Sequence, residues 1–314
     1  MSSTPKKIIT VFGATGAAGG SVARYLLEDA TFAVRAVTRN TSGAAAKALG
    51  EKGAEVVEAD LDKPETIPAT LVGAYGVSAL TDFWTLFPKT GDASKTQAAE
   101  YSQGISIVDA AKAAGVQHFL WFTLPHSDTP VFEGKYQVEQ YLKASGVPFT
   151  TFTNCLYYEN LVNPGLGFVK PLQDGTLSLE LPVPEDVYLP FYTVSQTGAW
   201  ILQAFKDPAK YLGKDIVAVG EHLTPTRIAE ILSSTLGKRV TAKHLSLEEF
   251  HAFGQSQNPV TVLMYLSYKW FMDNTQPPHS AIDETASKAV FSGTYTLEEF
   301  ISKDEAFRAA LSKI

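Results

Sequence analysis

The chain has 314 residues, 45% hydrophobic and 19% charged, a composition that supports a full apolar core and excludes a disordered chain. Its 26 Lys and Arg against 33 Asp and Glu give a formal charge of −7, with no basic cluster, which argues against a nucleic-acid partner. One cysteine, Cys155, excludes an internal disulfide, and neither the cysteine nor the six histidines show metal-ligand spacing, so no metal is expected.

Lys7–Phe12 is the first apolar run and predicts a strand closed by Gly13. Ser21–Leu27 carries a helical pattern. Further strands are predicted at Ala33–Arg39, Glu55–Ala59, Gly76–Leu80, His118–Thr123 and Phe149–Thr153. Helices are predicted at Ile105–Ala114 and Gln137–Ala144, stopped by Gly115 and Gly146. Apolar strands separated by helices predict a parallel sheet covered on both faces, doubly wound, with ligands at the carboxyl ends of its strands. Thr85–Lys95, rich in turn-forming and charged residues, reads as a mobile lid.

The texture changes after about residue 155. Prolines and glycines punctuate Asn163–Pro190, and Leu177–Leu181 predicts one arm of a small antiparallel unit. Thr193–Phe205 predicts a helix and Asp215–Val219 a strand. Thr224 caps a helix over Pro225–Leu236, while Ser246 with Glu249, and Thr296 with Glu299, form capping boxes. The expected fold class is α/β: a Rossmann-type doubly wound parallel sheet with a smaller C-terminal α+β substrate lobe. The first domain is expected over 1–155, with contributions from about 193–220, and the lobe mainly over 156–314.

Directly after the first strand stands Gly13-Ala14-Thr15-Gly16-Ala17-Ala18-Gly19-Gly20. Gly13 permits the tight turn, Gly16 lets a pyrophosphate approach the backbone, and Gly19 lets helix and strand pack closely. A glycine-rich turn with no ligand is the plainer alternative. At the end of the second strand a carboxylate would favour NAD, but the chain has Thr38-Arg39-Asn40-Thr41-Ser42. Arg39 can grip a 2′-phosphate and the neighbouring hydroxyls can add hydrogen bonds, so NADP(H) is the expected cofactor. Asp60 and Leu61, at the end of the third strand, are expected beside the adenine.

These residues, together with Thr81-Asp82-Phe83-Trp84, Asp109–Val116, Gly134-Lys135 with Val138-Glu139, and Tyr157-Tyr158-Glu159-Asn160, resemble the NmrA-like family, an atypical branch of the short-chain dehydrogenase/reductase superfamily. The resemblance spans nearly the whole chain. It implies that Thr15–Gly20 and Arg39 hold the pyrophosphate and 2′-phosphate, and that Thr81, Asp82 and Phe83 line the path to the nicotinamide. It further implies that Lys135 hydrogen-bonds the nicotinamide ribose and that Tyr157, Tyr158, Glu159 and Asn160 form a loop closing over the ring. By position alone, the alternatives are a surface helix lysine for Lys135 and core aromatics for Tyr157 and Tyr158.

One departure matters for chemistry. The short-chain dehydrogenases carry Tyr-x-x-x-Lys, whose tyrosine serves the carbonyl oxygen, but Val131 stands four residues before Lys135. Thr123 stands where those enzymes often have a serine. Ketone reduction makes an alkoxide that needs a proton donor or oxyanion stabiliser, whereas hydride transfer to an iminium cation gives a neutral amine directly. If a donor is needed, the candidates are Tyr157, Tyr158, His126 and Lys135, with His126 otherwise an exposed loop residue.

Phe83, Trp84, Phe87, Tyr157, Tyr158, Phe168, Tyr188, Phe191 and Tyr192 fall in candidate substrate-facing segments, at least half of them expected to be core. Tyr265, Tyr268, Trp270 and Phe271 either roof the cleft or serve a homodimer interface. Some members of the family are NADP-sensing regulators; others in fungal metabolism resemble ketone, enone or iminium reductases. The leading expectation is an NADPH-dependent oxidoreductase acting on a small-molecule substrate, with C=N favoured over C=O reduction. The alternative is a non-catalytic NADP(H) redox sensor with a regulatory protein partner. No stretch approaches the ~20 apolar residues of a membrane span and the start lacks a signal-peptide core, so no membrane partner and a cytoplasmic location are expected.

Overall fold

The computed structural model describes residues 5–314. The chain divides into two compact units: one runs to Asn154 and takes in Ser195–Ile216, and the other comprises Cys155–Val194 and Val217–Ile314.

The first unit alternates β1 (Ile8–Val11), α1 (Ala17–Asp29), β2 (Ala33–Thr38), α2 (Ala44–Glu51), β3 (Glu55–Glu58), α3 (Ile67–Thr70) and β4 (Ala74–Ala79). It continues through α4 (Phe83–Thr90), α5 (Ala93–Ala113), β5 (His118–Thr123), α6 (Pro130–Ser145) and β6 (Phe149–Asn154). Parallel pairings join β3, β2, β1, β4, β5 and β6 in that spatial order. The order reverses between β1 and β4, the switch point where such sheets open a crevice at their carboxyl ends. On one face Ile67 and Leu71, Ile107, Val108 and Ala111, and Val138 and Leu142 close over Val77, Phe119 and Trp121 of the sheet.

Two close helix contacts depend on glycine. A Cβ on Gly198 would lie 2.5 Å from the Ser21 carbonyl oxygen, so α7 (Thr197–Lys206), which follows in chain order after four strands of the second unit, seats on α1 through that position. The Ser21 hydroxyl donates to Ser195 O at 2.7 Å and accepts from Gly198 N at 3.0 Å. A Cβ on Gly104 of α5 would lie 2.4 Å from Val138 of α6. After α8 (Pro208–Tyr211), β11 (Asp215–Ala218) adds beside β6 as the seventh strand.

The second unit holds two three-stranded sheets. β10 (Leu189–Tyr192) lies between β7 (Leu156–Tyr157), parallel to it, and β12 (Glu221–Leu223), antiparallel. β9 (Leu177–Leu179) lies between β8 (Val169–Pro171), antiparallel, and β13 (Val240–Ala242), parallel. The helices are α9 (Pro225–Leu236), α10 (Leu247–Ala252), α11 (Pro259–Asn274), α12 (Glu284–Val290), α13 (Leu297–Lys303) and α14 (Glu305–Leu311). The Thr224 hydroxyl caps α9 through Arg227 N, and both expected capping boxes form at Ser246 and Thr296.

The expected lid at Thr85–Lys95 is corrected. That segment is most of α4 and the first turn of α5, with Asp82 accepting from Trp84 N and Thr85 N and Asp92 from Lys95 N in the first turn of each helix. Turn-forming residues there are caps. No helix among the described residues is long and apolar enough to cross a membrane.

Candidate functional site

At the β1–α1 junction Gly13 adopts φ +65°, a left-handed conformation that favours glycine, and Gly16 N donates to Gly13 O at 2.9 Å. A Cβ on Gly19 would lie 2.3 Å from that same oxygen, so only glycine lets α1 begin so close to the turn. Gly16 N-caps α1 without a side chain, and no acid stands in the first turn. The helix therefore presents unsatisfied N–H groups and the positive end of its dipole around Ala17 and Ala18, with Gly20 N already bonded back to Gly16 O at 2.9 Å. Thr15, Gly16 and Ala17 are exposed. Such a bare helix end suits an anion.

The second strand ends alongside it. Ala14 N donates to Val37 O at 3.3 Å, and the Thr15 and Thr38 hydroxyls lie 3.2 Å apart. Asn40 N donates to Thr38 Oγ1 at 3.2 Å, while Asn40 Oδ1 accepts from Ser42 N at 3.1 Å and Ser42 Oγ at 2.8 Å. Arg39 and Thr41 are exposed on this turn. Asp60 and Leu61 form the neighbouring turn after β3: Ala59 N donates to Thr38 O at 3.1 Å, Asp60 Oδ1 accepts Asp62 N at 3.1 Å, and Leu61 packs on the core edge.

Sequence reasoning missed Asp62, a carboxylate beside this end of the sheet. Lys89 Nζ meets its Oδ2 at 2.8 Å and Gln103 Nε2 its Oδ1 at 2.6 Å. The Lys89 ammonium first, then Gln103 and the more distant Arg39, hold the Asp62 carboxyl below the usual carboxylate range. Both of its oxygens are thus already engaged by Lys89 and Gln103.

Past β4, Thr81 is buried and its hydroxyl donates to Glu100 Oε1 at 3.0 Å. Lys135 on α6 is also buried, at 9% exposed, and its Nζ pairs with the same Glu100 oxygen. Glu100 is the other residue the sequence reading missed. Its partners lie 19 and 35 positions away, and only the packing of α5 on α6 joins them.

Asp82 is the cap of α4, accepting Trp84 N at 3.0 Å, and Phe83 is buried with its ring stacked 5.9 Å from Phe87. Thr123 donates to Glu139 Oε2 at 2.7 Å, so its hydroxyl proton is committed, and Val131 is buried in the first turn of α6. His126 is exposed, its Nδ1 2.9 Å from Glu133 Oε2 and its ring 4.9 Å from Tyr136.

In the second unit, Tyr157 is half-buried and meets Tyr192 edge-on at 5.3 Å. Tyr158 is corrected as a proton donor: it is fully buried, stacked between Phe191 and Phe300, and its hydroxyl donates to Glu221 Oε1 at 2.8 Å. Burial, then the Glu221 charge, pushes that phenol well above its ordinary range. Glu159 is engaged by Thr193 Oγ1 at 2.6 Å and Val194 N at 3.2 Å, and Asn160 O accepts Asn163 N at 3.3 Å. Of the aromatics, Phe83, Phe87, Tyr158, Phe168, Phe191 and Tyr192 are core, while Trp84 and Tyr188 are exposed. Tyr268 and Phe271 are buried, and Tyr265 packs on Phe250 at 4.9 Å with its hydroxyl 3.1 Å from His251, so these residues pack the second unit itself.

A profile of the NmrA-like family matches residues 5–301. An NmrA-like family domain-containing oxidoreductase of Aspergillus hancockii is 31% identical over 281 residues, covering 82% of this chain and 82% of that protein. The crystal structure of NmrA, a negative transcriptional regulator, in complex with NADP superposes with TM-score 0.76 at 23% identity, covering 99% of this chain and 98% of that one. Triphenylmethane reductase of Citrobacter sp., complexed with NADP(H), superposes with TM-score 0.72 at 20% identity, covering 95% of this chain and 99% of that one. These two structures share the fold.

Proposed function

The chain belongs to the NmrA-like family, and from the geometry of its first unit we propose that it is an NADPH-dependent oxidoreductase that reduces a small organic metabolite. The observation that carries this reading is the uncapped start of α1 behind the Gly13–Gly19 turn, with Arg39 exposed beside it. A Cβ on Gly19 would strike the backbone of that turn, and the free amides at the helix start suit a pyrophosphate. Arg39, with the hydroxyls of Thr15, Thr38, Thr41 and Ser42 near it, suits a 2′-phosphate. Asp60 and Leu61 would flank the adenine, and Lys135 would orient the nicotinamide ribose. The dinucleotide, when bound, supplies a hydride. The naming of the Aspergillus hancockii relative as an oxidoreductase supports the same class.

The substrate preference follows from protons. Val131 cannot donate one, and the hydroxyls of Thr81, Thr123 and Tyr158 donate to Glu100, Glu139 and Glu221. With those three hydroxyls committed and the usual tyrosine absent, an iminium carbon, whose reduction leaves a neutral amine, suits the chain better than a ketone, whose reduction leaves an alkoxide. Lys135 and Tyr157 are the groups whose loss should lower turnover more than folding. The regulatory reading is not favoured, because the relative at 31% identity is named an oxidoreductase and the regulator matches at 23%.

The test is NADPH consumption, followed at its absorbance band, against a panel of cyclic imines, enones and ketones, with NADPH binding titrated separately. Turnover of any panel member supports a reductase, and its loss in Lys135→Ala or Tyr157→Phe variants of unchanged melting temperature supports the site. Tight NADPH binding with no turnover across the panel would return the reading to a non-catalytic sensor.

A further inference from the structure

We propose that Glu100 is a positioning residue, one that holds the Lys135 ammonium in place for the nicotinamide ribose; this rests on the cofactor reading above. A lone lysine is a flexible stem with a mobile point charge, and it orders a ligand hydroxyl poorly. Here two residues from outside its own helix hold it. Glu100 of α5 is completely buried, and its Oε1 takes both the Lys135 ammonium of α6 and the hydroxyl of Thr81, which follows β4. Lys135 Nζ also lies 3.5 Å from Thr81 Oγ1.

The helix packing is shaped around this carboxylate. A Cβ on Gly134, the residue before the lysine, would lie 2.9 Å from Glu100 Oε2. One turn further along each helix the relation reverses, with Val138 of α6 set against Gly104 of α5. Each helix therefore gives up a side chain where the other presents one, and the close approach brings carboxylate to ammonium.

A purely structural role does not account for the pair. Glu100 Oε2 is buried and has no hydrogen-bond partner among the described residues. A half-satisfied buried ion pair is a poor stabiliser, and apolar residues of similar volume would serve a core at least as well. The pair is also lopsided: the glutamate side chain is wholly enclosed, while the lysine side chain is 11% exposed. An ammonium has three donors. Glu100 and Thr81 take two, which leaves one directed by the arrangement of the other two. Glu100 acts through that donor and needs no contact with the ligand.

The experiment titrates two ligands into the full chain. NADPH carries the nicotinamide ribose, whereas 2′,5′-ADP keeps the adenine and 2′-phosphate but lacks it. Glu100→Gln is expected to weaken NADPH about tenfold, as befits losing one charge-assisted hydrogen bond. It should leave 2′,5′-ADP affinity within about twofold, and E100Q/K135M should bind NADPH no more weakly than K135M. If E100Q does not fold, Glu100→Asp retains the charge but withdraws it by one methylene, and the same split between ligands is expected. Equal weakening of both ligands, or of neither, overturns the proposal. A native protein that fails to bind 2′,5′-ADP overturns the cofactor reading itself, a different failure.

Discussion

Arg35 lies within β2 and Arg39 just past its end, and a period of two places both on one strand face. The structure separates them. Arg35 is buried, its Nε donating to Glu55 Oε2 at 2.7 Å and its Nη1 to the carbonyls of Thr70 and Val72 at 2.9 and 2.8 Å. Arg39 stays exposed at the carboxyl end of the sheet. Arg39→Ala is therefore expected to lower the preference for NADPH over NADH by about one to two decades, measured by parallel titrations. Equal affinity of the native protein for the two dinucleotides would contradict the assignment. A second residue sets a pH response. His118 is enclosed in the sheet, its Nε2 2.8 Å from Thr150 Oγ1, and burial lowers its pKa from 6.5 to about 4. Below pH 6.5 the unfolded chain takes up a proton that the folded one refuses, so stability falls between pH 6.5 and about 4, by up to about 3 kcal/mol from this group. Urea midpoints across that window should show the slope, and His118→Gln should flatten it. A native slope unchanged in the variant would rule the histidine out.

Among the elements, the β1–α1 turn was the most legible, because its chemistry is local: glycine spacing after a strand states the turn, the close approach and the bare helix end together. Gly19→Ala pushes a Cβ to 2.3 Å from backbone, which cannot swing aside as a side chain would. It is expected to cost about 1–3 kcal/mol, read as a lower melting temperature, and to weaken dinucleotide binding more than Arg39→Ala does. An unchanged melting temperature would show that α1 can retreat. The least legible elements were α4 and the start of α5. Thr85, Lys89, Gly91 and Asp92 read as loop because residues that cap and end helices are also the residues that make turns. α5 begins at Ala93 rather than near Ile105, since Ser94, Thr96, Ser102 and Gly104 dilute the helical pattern that tertiary packing supports. The cost of that misreading was functional, because Glu100 lies in the stretch it passed over.

At the scale of the whole molecule, the alternation of apolar strands and helices carried the fold: β5 runs over His118–Thr123 as expected, and the parallel sheet follows from the pattern. The second unit was harder, because strands of two to four residues carry too few alternations to be read, and α11 is apolar on more than one face. The site divides in the same way. Glycines and Arg39 act where they stand in the sequence, whereas the Thr81–Glu100–Lys135 cluster and the Asp62–Lys89–Gln103 group exist only once distant segments meet. The proposed preference for C=N over C=O is tested most directly by kcat/KM with NADPH for a cyclic iminium and the ketone of matched ring and substituents. The iminium is expected to be preferred by at least about 100-fold, the scale of rate lost without a positioned proton donor. Equal or faster reduction of the ketone would mean that a proton donor operates, and would contradict the preference for C=N.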